Sequence, residues 1–186
     1  QKLGRLDEAE VSYIQAIALK PDFALAHNNL GIALKELGRL EDSEASYIQA
    51  IALKPDYAEA HYNLGITHKE QGKLDKAEAS HLKAIALKPD YAEAHSNLGM
   101  TLQELGRLNE AEASYTQAIV LKPNLSEAHN NLGLTLQELG RLEEACSAYI
   151  QAINLNIDFT DAYVNLSLAV KKAKFNSLNR KPVSYT

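Results

Sequence analysis

The chain has 186 residues, 46% of them hydrophobic and 23% charged, which is enough apolar content for a folded core. Its formal net charge of −5 gives no basic surplus to neutralise phosphate, so nucleic acid is not expected as a partner. No apolar stretch approaches the roughly 20 residues of a membrane span, and no signal peptide is recognisable, so we expect a cytoplasmic protein without membrane contact.

A period of 34 residues dominates the sequence. It is set by glycines at Gly4, Gly38, Gly72, Gly106 and Gly140, and prolines, histidines and alanines repeat with the same period. All nine glycines occupy only two positions of the period, so none remains for a phosphate-binding loop. The single cysteine, Cys146, excludes an intrachain disulfide.

Each period is predicted to hold two helices, here called helix A and helix B. In the second full period helix A spans about 58–71 and helix B about 74–87. Asp56 is predicted to cap helix A, with Glu59 completing a capping box, and Gly72 is predicted to end the helix in a left-handed conformation. The residues equivalent to Asp56 are Asp22, Asp90, Asn124 and Asp158.

In chain order we expect a repeat array at 1–174 and a flexible tail at 175–186. The array comprises a partial repeat at 1–23, full repeats at 24–57, 58–91, 92–125 and 126–159, and a final helix at 160–174. Because Gln1 falls inside a repeat, the sequence is expected to be a fragment.

Helix A is predicted to have two faces when its residues are numbered from 24, 58, 92, 126 and 160. Positions three, four, seven, eight, ten and eleven form a packing face in which glycine permits close helix approach, and positions two, five, six, nine, twelve and thirteen lie opposite. Since one helical hairpin cannot bury its apolar face, neighbouring hairpins must stack.

The residues Asn63, Leu64 and Gly65, followed by Gly72, Ala77, Ala84 and Pro89, closely resemble the tetratricopeptide repeat. The resemblance covers nearly the whole chain and implies an all-α fold, a right-handed superhelical solenoid of antiparallel helix–turn–helix repeats. It further implies a concave groove, lined by the A helices, that receives a peptide segment of a partner. Histidine at position four, Ser43 and His81 depart from the family pattern and are expected to soften the packing without changing the fold.

Position six of helix A is asparagine in every repeat that has one: Asn29, Asn63, Asn97, Asn131 and Asn165. Asparagine is a mediocre helix former, so a mid-helix row of it indicates function. Its amide offers a donor and an acceptor to a peptide backbone. The row looks like the asparagine ladder in the repeat region of O-GlcNAc transferase. The alternative is that these amides only bridge adjacent A helices.

Other candidate peptide-binding residues flank this asparagine row. They are Ile32, Ile66, Met100 and Leu134 at position nine, Glu59, Glu93 and Glu127 at position two, Tyr62 at position five, and Lys35 and Lys69 at position twelve. The carboxylates have the alternative role of completing capping boxes, and the lysines that of solvated side chains. Because position two is acidic and position nine aliphatic, the basic clamp of repeats that bind acidic chaperone tails is missing.

No catalytic site, metal site or cofactor is predicted in this chain. Four of the six histidines share position four and are interpreted as core residues, and His61 lies about 10 Å along the helix from His68, too far for an adjacent pair of metal ligands. The expected function is a protein-interaction scaffold that is not itself an enzyme. The alternatives are the substrate-recognition arm of a larger enzyme, such as a protein glycosyltransferase, and a structural solenoid that self-associates through uncapped ends.

Overall fold

A computed structural model of the protein describes residues 2–179, with side chains described for 5–175. Within these residues the secondary structure is ten α-helices and no β-strand. The helices are α1 (Lys2–Leu19), α2 (Ala24–Glu36), α3 (Leu40–Leu53), α4 (Ala58–Glu70), α5 (Leu74–Leu87), α6 (Ala92–Glu104), α7 (Leu108–Leu121), α8 (Ser126–Glu138), α9 (Leu142–Leu155) and α10 (Thr160–Asn179). The all-α helical-repeat architecture is therefore confirmed.

The last helix is longer than the sequence indicates. It continues to Asn179 rather than ending at Lys174, because Lys174 occupies the position where glycine ends the other A helices. Of the predicted tail at 175–186, residues 180–186 lie outside the described residues.

Glycine ends each complete A helix as predicted. Gly72 has a φ of 72°, in the left-handed region that a side chain disfavours, and Gly38, Gly106 and Gly140 have φ values of 76°, 75° and 81°. After α4, the Lys73 amide donates to the His68 carbonyl at 2.8 Å and the Gly72 amide to the Lys69 carbonyl at 2.9 Å. The chain thereby reverses within a few residues, and helix B starts at once.

The predicted side-chain caps at the start of helix A are wrong for α2, α4 and α8. The N-cap of α4 is Tyr57 rather than Asp56, and no side chain caps α2, α4 or α8, so neither Asp22 nor Asn124 has the predicted role. In the turn before α4 the backbone satisfies itself: the Ala58 amide donates to the Asp56 carbonyl at 3.0 Å, and the Tyr57 amide to the Lys54 carbonyl at 3.1 Å. Glu59 consequently completes no capping box.

The chain divides into two compact units, residues 1–101 and 102–186. In the first unit α1 packs on α2, α2 on α3, α3 on α4 and α4 on α5; in the second, α7 packs on α8, α8 on α9 and α9 on α10. Within each unit these helices thus contact their neighbours in sequence, which is the packing expected of stacked hairpins.

Helices A and B of a repeat approach closely where a glycine faces an aromatic side chain. A Cβ added to Gly31 would lie 2.7 Å from the Tyr47 ring, and one added to Gly133 would lie 2.5 Å from the Tyr149 ring. Gly65 has the same relation to His81, at 2.5 Å. The predicted role of the position-eight glycine in close helix packing is therefore confirmed in these three repeats.

Ion pairs connect the start of one helix B with the preceding helix B. They join Arg39 to Glu10 at 2.7 Å, Lys73 to Glu44 at 2.7 Å and Arg141 to Glu112 at 2.6 Å. The hydrogen bond from Lys73, with a further one from His68, lowers the pKa of Glu44 to about 2. These contacts tie successive repeats together on the helix B side.

Candidate functional site

The asparagine row of the first unit is part of a hydrogen-bonded chain of amides. Asn63 Nδ2 on α4 donates to Asn28 Oδ1 on α2 at 3.1 Å, and Asn28 Nδ2 donates in turn to Asn29 Oδ1 at 3.2 Å. Asn28, at position five, is buried with only 4% of its surface exposed. A buried amide needs such partners because an unpaired one costs about 1–3 kcal/mol.

The second unit contains the same arrangement. Asn165 Nδ2 on α10 donates to Asn130 Oδ1 on α8 at 3.0 Å, and Asn130 Nδ2 donates to Asn131 Oδ1 at 3.3 Å. Asn130 is 5% exposed, like its counterpart Asn28. The recurrence in two units indicates that the repeat sequence itself specifies this network.

An aromatic variant of the same contact lies between α4 and α6. Asn97 Nδ2 donates to the Tyr62 hydroxyl at 3.1 Å and to the Glu93 carbonyl at 3.0 Å. The Tyr62 ring packs against Tyr91, with ring centroids 4.8 Å apart. Burial raises the pKa of the Tyr62 hydroxyl, so it stays protonated at neutral pH.

These contacts correct the predicted division of helix A into two faces. Position five was assigned to the open face, but Asn28 and Asn130 are buried between adjacent A helices. The bridging interpretation of position six therefore describes contacts that are present at Asn63, Asn97 and Asn165. Asn28 and Asn130 are the residues that sequence reasoning missed, although their own unfavourable mid-helix location was an available signal.

Each asparagine at position six uses only one of its two amide groups, Nδ2 or Oδ1, in these side-chain contacts. Asn63, Asn97 and Asn165 use Nδ2, and no donor to their Oδ1 is found among the described residues. Asn29 and Asn131 accept through Oδ1, and their Nδ2 donates to no described residue. The half-buried row therefore retains both acceptors and donors.

The flanking candidates differ in how far they are engaged within the chain. Ile32 is 39% exposed, whereas Ile66, Met100 and Leu134 are half-buried. Glu59 lies 3.8 Å from the Lys88 ammonium, and Glu93 also has a partner within the chain.

The two candidate lysines are engaged as well. Lys35 lies 3.6 Å from Glu36 and 3.7 Å from Glu70, and Lys69 also has a partner within the chain. Anion binding at position twelve would have to compete with these contacts.

The position-four histidines have a role that the sequence did not indicate. They are half-buried rather than core residues, and each hydrogen bonds through Nε2 to a proline carbonyl six residues earlier, at 3.0–3.2 Å. The pairs are His27 with Pro21, His61 with Pro55, His95 with Pro89 and His129 with Pro123. The imidazole thus fixes the turn that leads into helix A. Within the described part of the chain no cluster of three or more metal-ligating side chains is found.

One polar cluster in the first unit has the order of a catalytic triad. His68 Nδ1 lies 3.2 Å from Ser80 Oγ and its Nε2 lies 3.2 Å from Glu44. However, Ser80 is only 8% exposed and His68 only 6%, so the hydroxyl is not open to a substrate, and Glu44 is also paired with Lys73. We interpret the cluster as a polar connection between α3, α4 and α5.

A groove of about 370 Å³ is lined by side chains of α7, α8 and α9. Thr116, Val120 and Ala148 contribute to its lining, together with side chains of α8. It contains none of the predicted peptide-binding residues. Thr116 lies where other repeats have Ile48 or Leu82, and Ala148 lies where they have serine.

Comparisons with known proteins identify the repeat. The model of the TPR repeat matches residues 2–38, 33–72, 67–106 and 101–140, and that of the tetratricopeptide repeat matches 126–159. No curated protein sequence matches the chain.

Several solved structures are similar. A MamA structure is 26% identical in sequence, with a TM-score of 0.75. The alignment covers 82% of this chain and 89% of the MamA chain. A thermophilic TPR protein of Thermus thermophilus is 25% identical with a TM-score of 0.73, covering 91% and 93%. YrrB, described as a TPR protein with an unusual peptide-binding site, is 23% identical with a TM-score of 0.73, covering 87% and 84%.

Within residues 2–179 no helix is long and apolar enough to cross a membrane. The matched repeats overlap and cover residues 2 to 159 without a gap, and the fold is that of proteins typical of protein–protein interaction. The chain belongs to the tetratricopeptide-repeat family.

Proposed function

We propose that this chain is a protein-interaction scaffold and that the A-helix face of each unit binds an extended segment of a partner. The observation that carries the proposal is the partial use of the asparagine amides. Asn29 and Asn131 retain Nδ2 donors, whereas Asn63, Asn97 and Asn165 retain Oδ1 acceptors. An extended peptide backbone presents both carbonyl acceptors and amide donors, so it complements such a row independently of its side chains.

The internal bonds favour this function rather than competing with it. Each position-six amide is held at one end by a neighbouring side chain, so its free end is ordered before a ligand arrives. A side chain that is already ordered loses less conformational entropy on binding, which saves about 0.5–1.5 kcal/mol for each group. The exposed Ile32 and the half-buried residues at position nine would supply apolar contacts beside the amides.

The structure permits a variant that separates the two roles of the asparagine row. The substitution Asn63→Ala would leave the buried Asn28 Oδ1 without a hydrogen bond and would lower the stability of the fold. A loss of binding could then not be distinguished from a loss of stability. In Asn29→Asp with Asn131→Asp, the carboxylate still accepts the bond from Asn28 or Asn130, and only the free donor is lost.

The experiment selects 12-residue peptides from a random displayed library on the wild-type chain and measures their affinity for the variant by fluorescence anisotropy. We expect about tenfold weaker binding, since in the unit that holds the peptide a hydrogen bond to the peptide backbone is replaced by repulsion between oxygens. The matched control, Asn109→Asp with Asn124→Asp, makes the same charge change at exposed positions and should bind like the wild type. Equal binding by all three proteins, at equal thermal stability, would assign the row a purely structural role.

A further inference from the structure

The acidic residue at position two has a lysine beside it in one repeat of the first unit and lacks the equivalent lysine in the last full repeat. In the first unit, Glu59 lies 3.8 Å from Lys88, the residue that follows helix B of the same repeat. Lysine occupies the equivalent place at Lys20, Lys54, Lys88 and Lys122, but the last repeat has Asn156 there. Glu127 is the position-two residue of that repeat. It therefore has Asn156, rather than a lysine, at the place that Lys88 has relative to Glu59.

Within the part of the chain that the structure describes, the Glu127 carboxylate neither pairs with a cation nor caps its helix. Its contact among the described residues is the neutral hydroxyl of Ser126, at 3.2 Å. The N-cap of α8 is Leu125 and no side chain caps the helix, so the carboxylate does not satisfy the helix start. Glu127 is exposed, and its charge is not compensated by a cation of the described residues 5–175.

A second carboxylate occupies the same position on the next A helix. Asp161, at position two of α10, is exposed and forms no ion pair with the side chains described for residues 5–175. The nearest lysines on its own helix, Lys171 and Lys172, are about 15 Å further along the axis. At that distance ordinary salt concentrations largely screen the interaction, so the two carboxylates form an acidic end of this face.

The acidic end lies directly beside the asparagine row. Asn131 and Asn165 come four residues after Glu127 and Asp161, one helical turn away on the same face. Leu134 and Leu168 follow three residues later, and Leu168 is 53% exposed. Each of the two helices therefore presents a carboxylate, an amide and an aliphatic side chain in successive turns.

We propose that the second unit recognises a positively charged segment of its partner, in which Lys or Arg side chains contact Glu127 and Asp161 while the backbone contacts Asn131 and Asn165. Packed helices lie about 8–10 Å apart, a distance that about three residues of extended chain span. The segment accordingly carries two basic residues about three positions apart, with apolar side chains directed toward Leu134 and Leu168. This inference rests on the proposed function, because the asparagine row must first hold the backbone.

The test begins with the random 12-residue library selected on the wild-type chain, scored for Lys and Arg. A selected peptide and its version with every Lys and Arg replaced by Gln are then titrated against the wild type and against Glu127→Gln with Asp161→Asn. We expect basic residues to be enriched and the double variant to bind the selected peptide about three- to tenfold more weakly. This loss should vanish for the Gln peptide and should shrink in 0.5 M salt.

Glu41→Gln with Glu143→Gln is the matched control, because it removes one exposed carboxylate from a helix B of each unit, away from the A-helix face. It should bind the basic peptide within twofold of the wild type. Selected peptides without basic enrichment, or equal binding by the double variant, would overturn this inference while leaving the proposed function intact. A failure to select any peptide whose binding depends on the asparagine row would overturn both.

Discussion

His81 should make the first unit sensitive to acid. It occupies the helix B position held by tyrosine elsewhere, at Tyr47, Tyr115 and Tyr149, and all four side chains are fully buried. Its Nδ1 lies 3.5 Å from Thr101 Oγ1, whereas Nε2 has no hydrogen-bond partner among the residues that the structure describes. Burial, together with the nearby Lys69 and His68, lowers the pKa of His81 from 6.5 to about 4.

The sign of the effect follows from proton binding. Between about pH 6.5 and pH 4 the unfolded chain binds a proton at His81 and the folded chain does not, so the free energy of unfolding falls as the pH falls. At about 1.4 kcal/mol for each pH unit, the full difference is about 3 kcal/mol, of which about 2 kcal/mol is lost between pH 7 and pH 5. Glu44 contributes mainly below this range, because its pKa is about 2 and its stabilising effect disappears only as the pH falls below about 4.5.

The assay is urea unfolding followed by far-UV circular dichroism at pH 7 and pH 5. The substitution is His81→Tyr, for which Gly65 leaves space as Gly31 does for Tyr47. The wild type should lose about 2 kcal/mol more than this variant on acidification. Ile48→Ala, at a side chain of the same unit that does not titrate and is 51% exposed, should retain the wild-type pH dependence. Equal losses in wild type and His81→Tyr would refute the assignment of acid sensitivity to this buried imidazole.

Two further substitutions test the packing of the first unit. Leu98→Ala, at a side chain that is 6% exposed, should lower the free energy of unfolding by about 2–5 kcal/mol, and an unchanged urea midpoint would contradict the assigned repeat register. Gly65→Ala places a Cβ 2.5 Å from the His81 ring and should lower it by about 1–3 kcal/mol; a melting temperature equal to that of the wild type would mean that the two helices can separate without cost.

The helical repeat could be predicted closely because its signals are local. Helix B was expected at about 74–87 and is found at Leu74–Leu87, since the spacing of apolar residues and the left-handed Gly72 depend on only a few neighbouring positions. The capping prediction failed at Asp56 for an equally local reason. The turn after Pro55 satisfies its own amides through backbone carbonyls, and an aspartate in a sequence does not indicate whether that happens.

The candidate site was predicted only in part. The asparagine row is visible in the sequence because the same residue type recurs with the repeat. Its partners are not visible, because Asn63 bonds to Asn28, 35 residues away on the preceding A helix. Helical angle alone places position five on the open face, whereas packing of the next helix buries Asn28 and leaves it dependent on that bond.

The sequence by itself determined the repeat, the two helices of each period and their reversal at glycine, because these follow from backbone preferences and apolar spacing within one hairpin. Only the tertiary structure decided which polar atoms remain free. A hydrogen-bond donor or acceptor becomes a binding group when no neighbouring side chain uses it, and those neighbours are brought together by stacking between repeats. The free amide ends of the asparagine row and the uncompensated charge of Glu127 are therefore properties of the packed helices.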